Sequence, residues 1–197
     1  MAITNLDAVR IVDEHRGDAV IVTTMNSSNP NFGLPKVTMN HELDFTMTGC
    51  IGKASSIGLG VALARPEWKV IVLDGDGSLL MNLGTLVTIK NKAPENLYHF
   101  VFENGMYAVT GGQPVPGEDT TSFQGMAEQA GYSDAYEIDD TEKLATRIDS
   151  ILQQNGPVLV CLGIVPQVDN TPAYIRRMPK RTMQMSIEDF SRVLGGE

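Results

Sequence analysis

A short apolar run, Lys69 to Asp74, passes without a spacer into Gly75-Asp76-Gly77-Ser78 and then into sequence of helical character that continues to Lys92. The simplest reading is a buried strand, a turn tight enough to need glycine, and a helix start. The free amides at a helix N-terminus favour phosphate oxygens. Asp76 would repel a phosphate unless a hard divalent cation lay between them, and magnesium accepts carboxylate, amide and phosphate oxygens together. Taken alone, Gly-Asp-Gly reads more simply as a surface turn.

The rest of the chain supplies a context for that unit. Leu6, Val9 and Val12 repeat at helical spacing, with Arg16-Gly17 as the stop, and Ala19 to Thr24 reads as a buried strand. Met25 to Met39 is irregular and rich in Asn, Ser, Pro and Gly, a candidate binding or interface loop. A helix is expected over Gly52 to Ala64, where small residues allow close backbone approach, and a strand over Leu97 to Glu103. A Gly/Pro loop spans Asn104 to Thr121. Helices follow at Phe123 to Ala130 and Thr141 to Gln154, with strands near Tyr136 and at Pro157 to Gly163. Strands separated by helices of this length predict an α/β fold of three layers, a mainly parallel sheet covered by helices on both faces. We divide the chain into a domain of residues 1–165 and a C-terminal extension of residues 166–197, packed on that domain or on a partner. The extension carries Arg176, Arg177, Lys180 and Arg181, read as a solvated face or subunit contact, and a last amphipathic helix at Ile187 to Leu194.

The formal charge of −9 argues against nucleic acid, whose binders cluster Lys and Arg to displace counterions. Cys50 and Cys161 are the two cysteines and lack the paired spacing of a zinc or iron-sulfur site. Met1 to Val12 contains no run long enough for a signal peptide or a membrane span. A soluble cytoplasmic protein that binds neither membrane nor nucleic acid is the expectation.

Asn104-Gly105 follows the next strand after the Gly75–Ser78 turn, so it belongs at the same edge of a parallel sheet as Asp76, where ligands of such sheets bind. The 28-residue separation of Asp76 and Asn104 resembles the signature of the thiamine-diphosphate enzymes, Gly-Asp-Gly followed about 25 to 30 residues later by Asn, within reach of one crossover. Three ordered blocks sharpen the resemblance: Gly49-Cys50-Ile51-Gly52-Lys53-Ala54-Ser55-Ser56-Ile57-Gly58-Leu59-Gly60, then Gly75 to Gly84, then Asn104-Gly105 with Thr110-Gly111-Gly112-Gln113. Together they are similar to sulfopyruvate and phosphonopyruvate decarboxylases over about Asp7 to Gly163, leaving the tail outside.

The resemblance implies a thiamine-diphosphate-binding fold in which Asp76, Asn104 and the backbone oxygen of Met106 hold magnesium, while Gly75, Gly77 and Ser78 surround the diphosphate. It places Ile51 under the cofactor as the wedge that holds it bent, where the family often has Met. The bland alternative for Ile51 is a core residue. It implies that Gly49 offers its carbonyl to the pyrimidine amino group, adds Cys50 and Tyr107 to the cofactor-contacting set, and gives Thr110 and Gln113 to the substrate. Lys53, Glu103, Ala108 and Val109 depart from the residues expected at their positions, which leaves the substrate open.

In this superfamily a Glu from a separate pyrimidine-binding domain bonds the pyrimidine, and no second strand-helix alternation of that size occurs in this chain. Glu14, Glu42, Glu118 and Glu128 each read as solvated or loop residues. The expectation is therefore a split 2-oxo-acid decarboxylase, with the pyrimidine-binding half on a partner subunit, two copies of each chain, and the active site between them. Among the histidines, His41, just ahead of the Gly49 block, is the catalytic candidate by virtue of its near-neutral titration. His15 is expected at a helix end and His99 within a strand. A carboligase or acyloin synthase subunit of the same superfamily, and a non-catalytic cofactor-binding subunit, stay open as alternatives. A subunit of a ferredoxin-linked oxidoreductase is disfavoured because two isolated cysteines cannot hold a cluster.

Overall fold

The computed structural model of the chain describes residues 1–168 and 181–195. The elements are α1 (Asn5–His15), β1 (Val20–Thr23), β2 (Asp44–Thr46), α2 (Ala54–Ala64), β3 (Val70–Gly75), α3 (Asp76–Leu80), α4 (Thr85–Lys92), β4 (Leu97–Glu103), β5 (Met106–Tyr107), β6 (Gln113–Pro114), α5 (Phe123–Ala130), β7 (Asp134–Ile138), α6 (Thr141–Leu152), β8 (Val158–Gly163) and α7 (Met183–Val193). Six strands form one sheet in the order β2-β1-β3-β4-β8-β7, and every neighbouring pair is parallel.

The central strands read as unbroken apolar runs because both faces are buried. On β3, Ile71 and Leu73 enter the core formed with α1 and α6, through residues such as Val9, Val12, Leu144 and Ile148. Val70 and Val72 enter the opposite core, which gathers Ala54 and Leu59 of α2, Leu79 of α3, Ile89 of α4 and Phe123 of α5. Gly58 lets α2 lie against the sheet, since a Cβ there would stand 2.2 Å from the Val72 side chain.

Four local readings change. The helical stretch Ser78 to Lys92 is two helices, broken at Met81–Gly84, where the Asn82 side chain donates to Ser56 Oγ at 3.0 Å. Edge strand β2 escapes the sequence pattern because three residues, two of them polar, make no apolar run. The irregular Met25–Met39 stretch is largely a packed segment, with Phe32 and Leu34 buried and the Phe32 carbonyl accepting from Asn5 Nδ2 at 2.7 Å. The Asn104–Thr121 loop contains the antiparallel hairpin β5-β6.

In the extension, α7 packs against β2: Ser186 Oγ accepts from Thr46 N at 2.9 Å and donates to the Asp44 carbonyl at 2.7 Å. Arg181 is committed to the same contact rather than solvated, donating to the Asp44 carbonyl and to Asp189 Oδ2, each at 3.0 Å. Arg176, Arg177 and Lys180 lie outside the described residues. No described helix is long and apolar enough to cross a membrane.

Candidate active site

The carboxyl ends of β1, β3 and β4 converge on a cavity bounded by the first turn of α3 and by the Asn104–Thr110 segment. Asp76 is the first residue of α3 and is 5% exposed. Backbone amides grip its carboxylate from two chain segments. Asn104 N–H and Gly105 N–H donate to Oδ2 at 2.9 and 2.7 Å, and Gly77 N–H donates to Oδ1 at 2.7 Å. Asn104 Oδ1 in turn accepts from Met106 N–H at 2.9 Å, which turns the chain into β5. Asp76 Oδ1 and Asn104 Oδ1 each accept one hydrogen bond and keep a further lone pair for a metal, whereas Asp76 Oδ2 already accepts two.

Ser78 Oγ accepts from Gly52 N–H at 2.9 Å, so the Gly49–Gly52 block is tied directly to the Gly75–Ser78 turn. Gly52 holds φ +77°, and a Cβ there would sit 3.2 Å from Met81 Cβ. At Gly77 a Cβ would come within 2.5 Å of the Tyr107 ring, so glycine is what allows hairpin and turn to share the space.

This arrangement of backbone amides, carboxylate and amide oxygens at a sheet's carboxyl edge suits an anionic cofactor held through a cation. Residues 29–162 match the thiamine pyrophosphate enzyme family, in its C-terminal TPP binding domain. The chain belongs to this family. It is 38% identical over 151 residues to a phosphonopyruvate decarboxylase of Streptomyces viridochromogenes, covering 77% of this chain and 36% of that protein. It is 32% identical over 172 residues to the sulfopyruvate decarboxylase subunit beta of Methanococcus maripaludis, covering 87% of this chain and 90% of that subunit. The chain thus spans about a third of the phosphonopyruvate decarboxylase and nearly all of the beta subunit. Among solved structures, a thiamine diphosphate-dependent 4-hydroxybenzoylformate decarboxylase of Rhodococcus jostii superposes with TM-score 0.68 at 19% identity, covering 85% of this chain and 34% of that one, which supports the fold.

Thiamine diphosphate is the cofactor of this TPP-binding domain, and the cavity fits its charged end. The polar side chains that line it are carboxylates, amides and hydroxyls with no imidazole or thiol among them, and two of the four residues of the Gly75–Ser78 turn are glycine. Burial pushes the Asp76 carboxyl above its ordinary range, opposed by the three amides and assisted by the nearby Glu118 carboxylate. A cation at this carboxylate would oppose that rise.

Of the sequence-predicted residues, Ile51, Gly75, Asp76, Gly77, Ser78, Asn104, Met106, Tyr107 and Thr110 line the cavity together. Gly49 and Cys50 lie just before Ile51 without lining it. Gly49 holds φ +71°, and the Cys50 carbonyl accepts from Thr24 Oγ1 at 3.4 Å. Gln113 is exposed on β6 and paired with Thr110, whose Oγ1 donates to Gln113 Oε1 at 3.2 Å. His41 is not brought to the site. It is exposed and precedes β2, so it belongs to the amino edge of the parallel sheet, opposite the cavity. The sequence reading overvalued its nearness in the chain to the Gly49 block.

Thr24, Asp74 and Phe102 line the cavity as well, outside the residues singled out from sequence, whereas Met25, Asn26 and Ser27, also in its wall, belong to the irregular stretch read as a candidate binding or interface loop. Met25 adopts φ 55°, a left-handed conformation costing a non-glycine residue about 1 kcal/mol. Ser27 Oγ anchors that turn by donating to the Leu73 carbonyl at 2.7 Å. The Asn/Ser-rich stretch directly after a buried strand is the sequence signal that marks Met25 to Ser27.

Proposed function

We propose that this chain is the diphosphate-binding subunit of a split thiamine-diphosphate-dependent 2-oxo-acid decarboxylase of the sulfopyruvate/phosphonopyruvate type. Residues 1–165 are the cofactor-binding domain and 166–197 its extension. The observation that carries the reading is the convergence of Asp76 and Asn104 in a cavity that no described glutamate lines. Glu14, Glu42, Glu118 and Glu128 are all exposed and outside it. The near-complete coverage of a subunit named beta supports a partner that brings the missing carboxyl. Two copies of each chain is the assembly we propose, in the cytoplasm, with the active site at the interface.

In this assignment Asp76, Asn104 and the Met106 carbonyl hold magnesium, and Gly75, Gly77 and Ser78 receive the diphosphate. Thiamine diphosphate, when bound, supplies the carbon nucleophile and the electron sink that release of carbon dioxide from a 2-oxo acid requires. Ile51, half-buried at the cavity wall, props the cofactor in its bent form. Gly49 and Cys50 approach the pyrimidine by backbone, Tyr107 packs over the Gly77 turn, and Thr110 with Gln113 orients the substrate.

The test is reconstitution. The chain is mixed with candidate pyrimidine-binding subunits, magnesium and thiamine diphosphate, and carbon dioxide is measured from sulfopyruvate, phosphonopyruvate and other 2-oxo acids. Release that needs both chains is the expected result. A complex that binds cofactor yet turns over no 2-oxo acid would overturn the decarboxylase assignment.

A further inference from the structure

Beneath the Gly75–Ser78 turn lies a pair of ionisable side chains that the proposed chemistry does not use. His99 sits in the middle of β4, in a run otherwise made of Leu97, Tyr98, Phe100, Val101 and Phe102, and its side chain is 0% exposed. Asp74, the residue before the turn, is likewise 0% exposed at its side chain and lines the cavity. Alternation along the two strands places them on one face: Val72 and Val101 share the α2-side core, and Val72 pairs in register with His99 as Asp74 does with Val101. His99 Nε2 stands 3.4 Å from Asp74 Oδ2, within ion-pair distance but not aligned as a hydrogen bond. Among the described residues neither His99 nitrogen has a hydrogen-bond partner. The other carboxylate oxygen, Asp74 Oδ1, accepts from Gly75 N–H at 3.0 Å.

An imidazole and a carboxylate are costly to bury, and an apolar pair would fill the space without that cost. We propose that His99, acting through Asp74, is a positioning residue for the turn that presents Asp76. His99 fixes the rotation of the Asp74 carboxylate, the carboxylate holds the Gly75 peptide, and the peptide sets where the Asp76 oxygens meet the amides of Asn104 and Gly105. The consequence for metal binding rests on the assignment of Asp76 as the magnesium ligand; the coupling itself does not.

The experiment is amide hydrogen exchange by NMR on the full 197-residue chain, without metal and then with magnesium and thiamine diphosphate. In His99→Phe the amides of Gly75, Gly77, Asn104 and Gly105 should exchange about tenfold faster while those of β8 keep their rates. His99→Gln, which retains a polar partner for Asp74, should restore rates to within about twofold. Asp74→Ala should give the same local acceleration, and adding His99→Phe to it should change nothing further, as for two residues acting in series. Parental rates at the four amides in His99→Phe, a rise shared equally by β8, or an additive double variant would overturn the proposal. Should His99→Phe not fold, an unaccelerated Asp74→Ala would overturn it alone. A parent chain whose four amides ignore magnesium and cofactor, alone and with its partner subunit, would sink the metal assignment and leave the coupling standing.

Discussion

Glu103 closes β4 immediately before Asn104, and burial, together with the carboxylates of Glu137 and Asp76, pushes its carboxyl up to about 7 against the pull of a hydrogen bond from Cys161. A carboxyl raised on folding binds its proton more tightly in the native state, so its stabilising contribution is complete below the unfolded value and is lost as pH rises through about 7. Glu103→Gln mimics the protonated form. It should raise the melting temperature at pH 8 and leave it nearly unchanged at pH 5; an equal effect at both would show that Glu103 titrates normally. Ile51 tests a different residue-scale claim. Ile51→Ala should lower turnover of the assembled enzyme about tenfold or more with a smaller loss of cofactor affinity, whereas Ile51→Met, similar in volume, should retain turnover. Equal losses in both variants would return Ile51 to the ordinary core.

Among the elements, the strand-turn-helix unit of β3 and α3 bears the site, and its tolerance is set by Gly77. Gly77→Ala would drive a methyl toward the Tyr107 ring, 2.5 Å away. We expect the β5-β6 hairpin to shift and magnesium-dependent cofactor affinity to fall by more than about tenfold, measured by calorimetry, with little change in far-UV circular dichroism. The same element shows what sequence can reveal. The β3 and β4 runs were legible to within a residue because burial on both faces leaves a continuous apolar signature, and Asp76 and Asn104 were paired by the rule that consecutive parallel strands share an edge. The break after α3 was not legible, because the contacts made there, from Asn82 to Ser56 of α2 and from Met81 against Gly52, are distant in sequence. Thr24 was missed for a related reason, since β1 lies beside β3 only through the sheet order, while Met25 to Ser27 fell within the stretch read as a candidate binding or interface loop. His41 failed because proximity in the chain says nothing about which sheet edge a residue reaches.

At the scale of the whole molecule, the described sheet has its layers in place, and we read the cavity at its carboxyl edge as one half of an active site. Both sheet faces are covered and α7 packs on edge strand β2. Yet the described cavity contains Asp74 and Asp76 as its carboxylates and no glutamate to meet a pyrimidine. We expect that demand to be met across an interface, which makes cofactor affinity a property of the assembly. The most direct measurement is therefore calorimetric titration of thiamine diphosphate into the chain combined with its pyrimidine-binding partner, in magnesium and in chelator, for the parent and for Asp76→Ala. We predict binding that requires magnesium and the partner and that Asp76→Ala weakens by more than the roughly 10–100-fold that loss of a supporting contact costs. Undiminished binding by Asp76→Ala in magnesium would contradict the account.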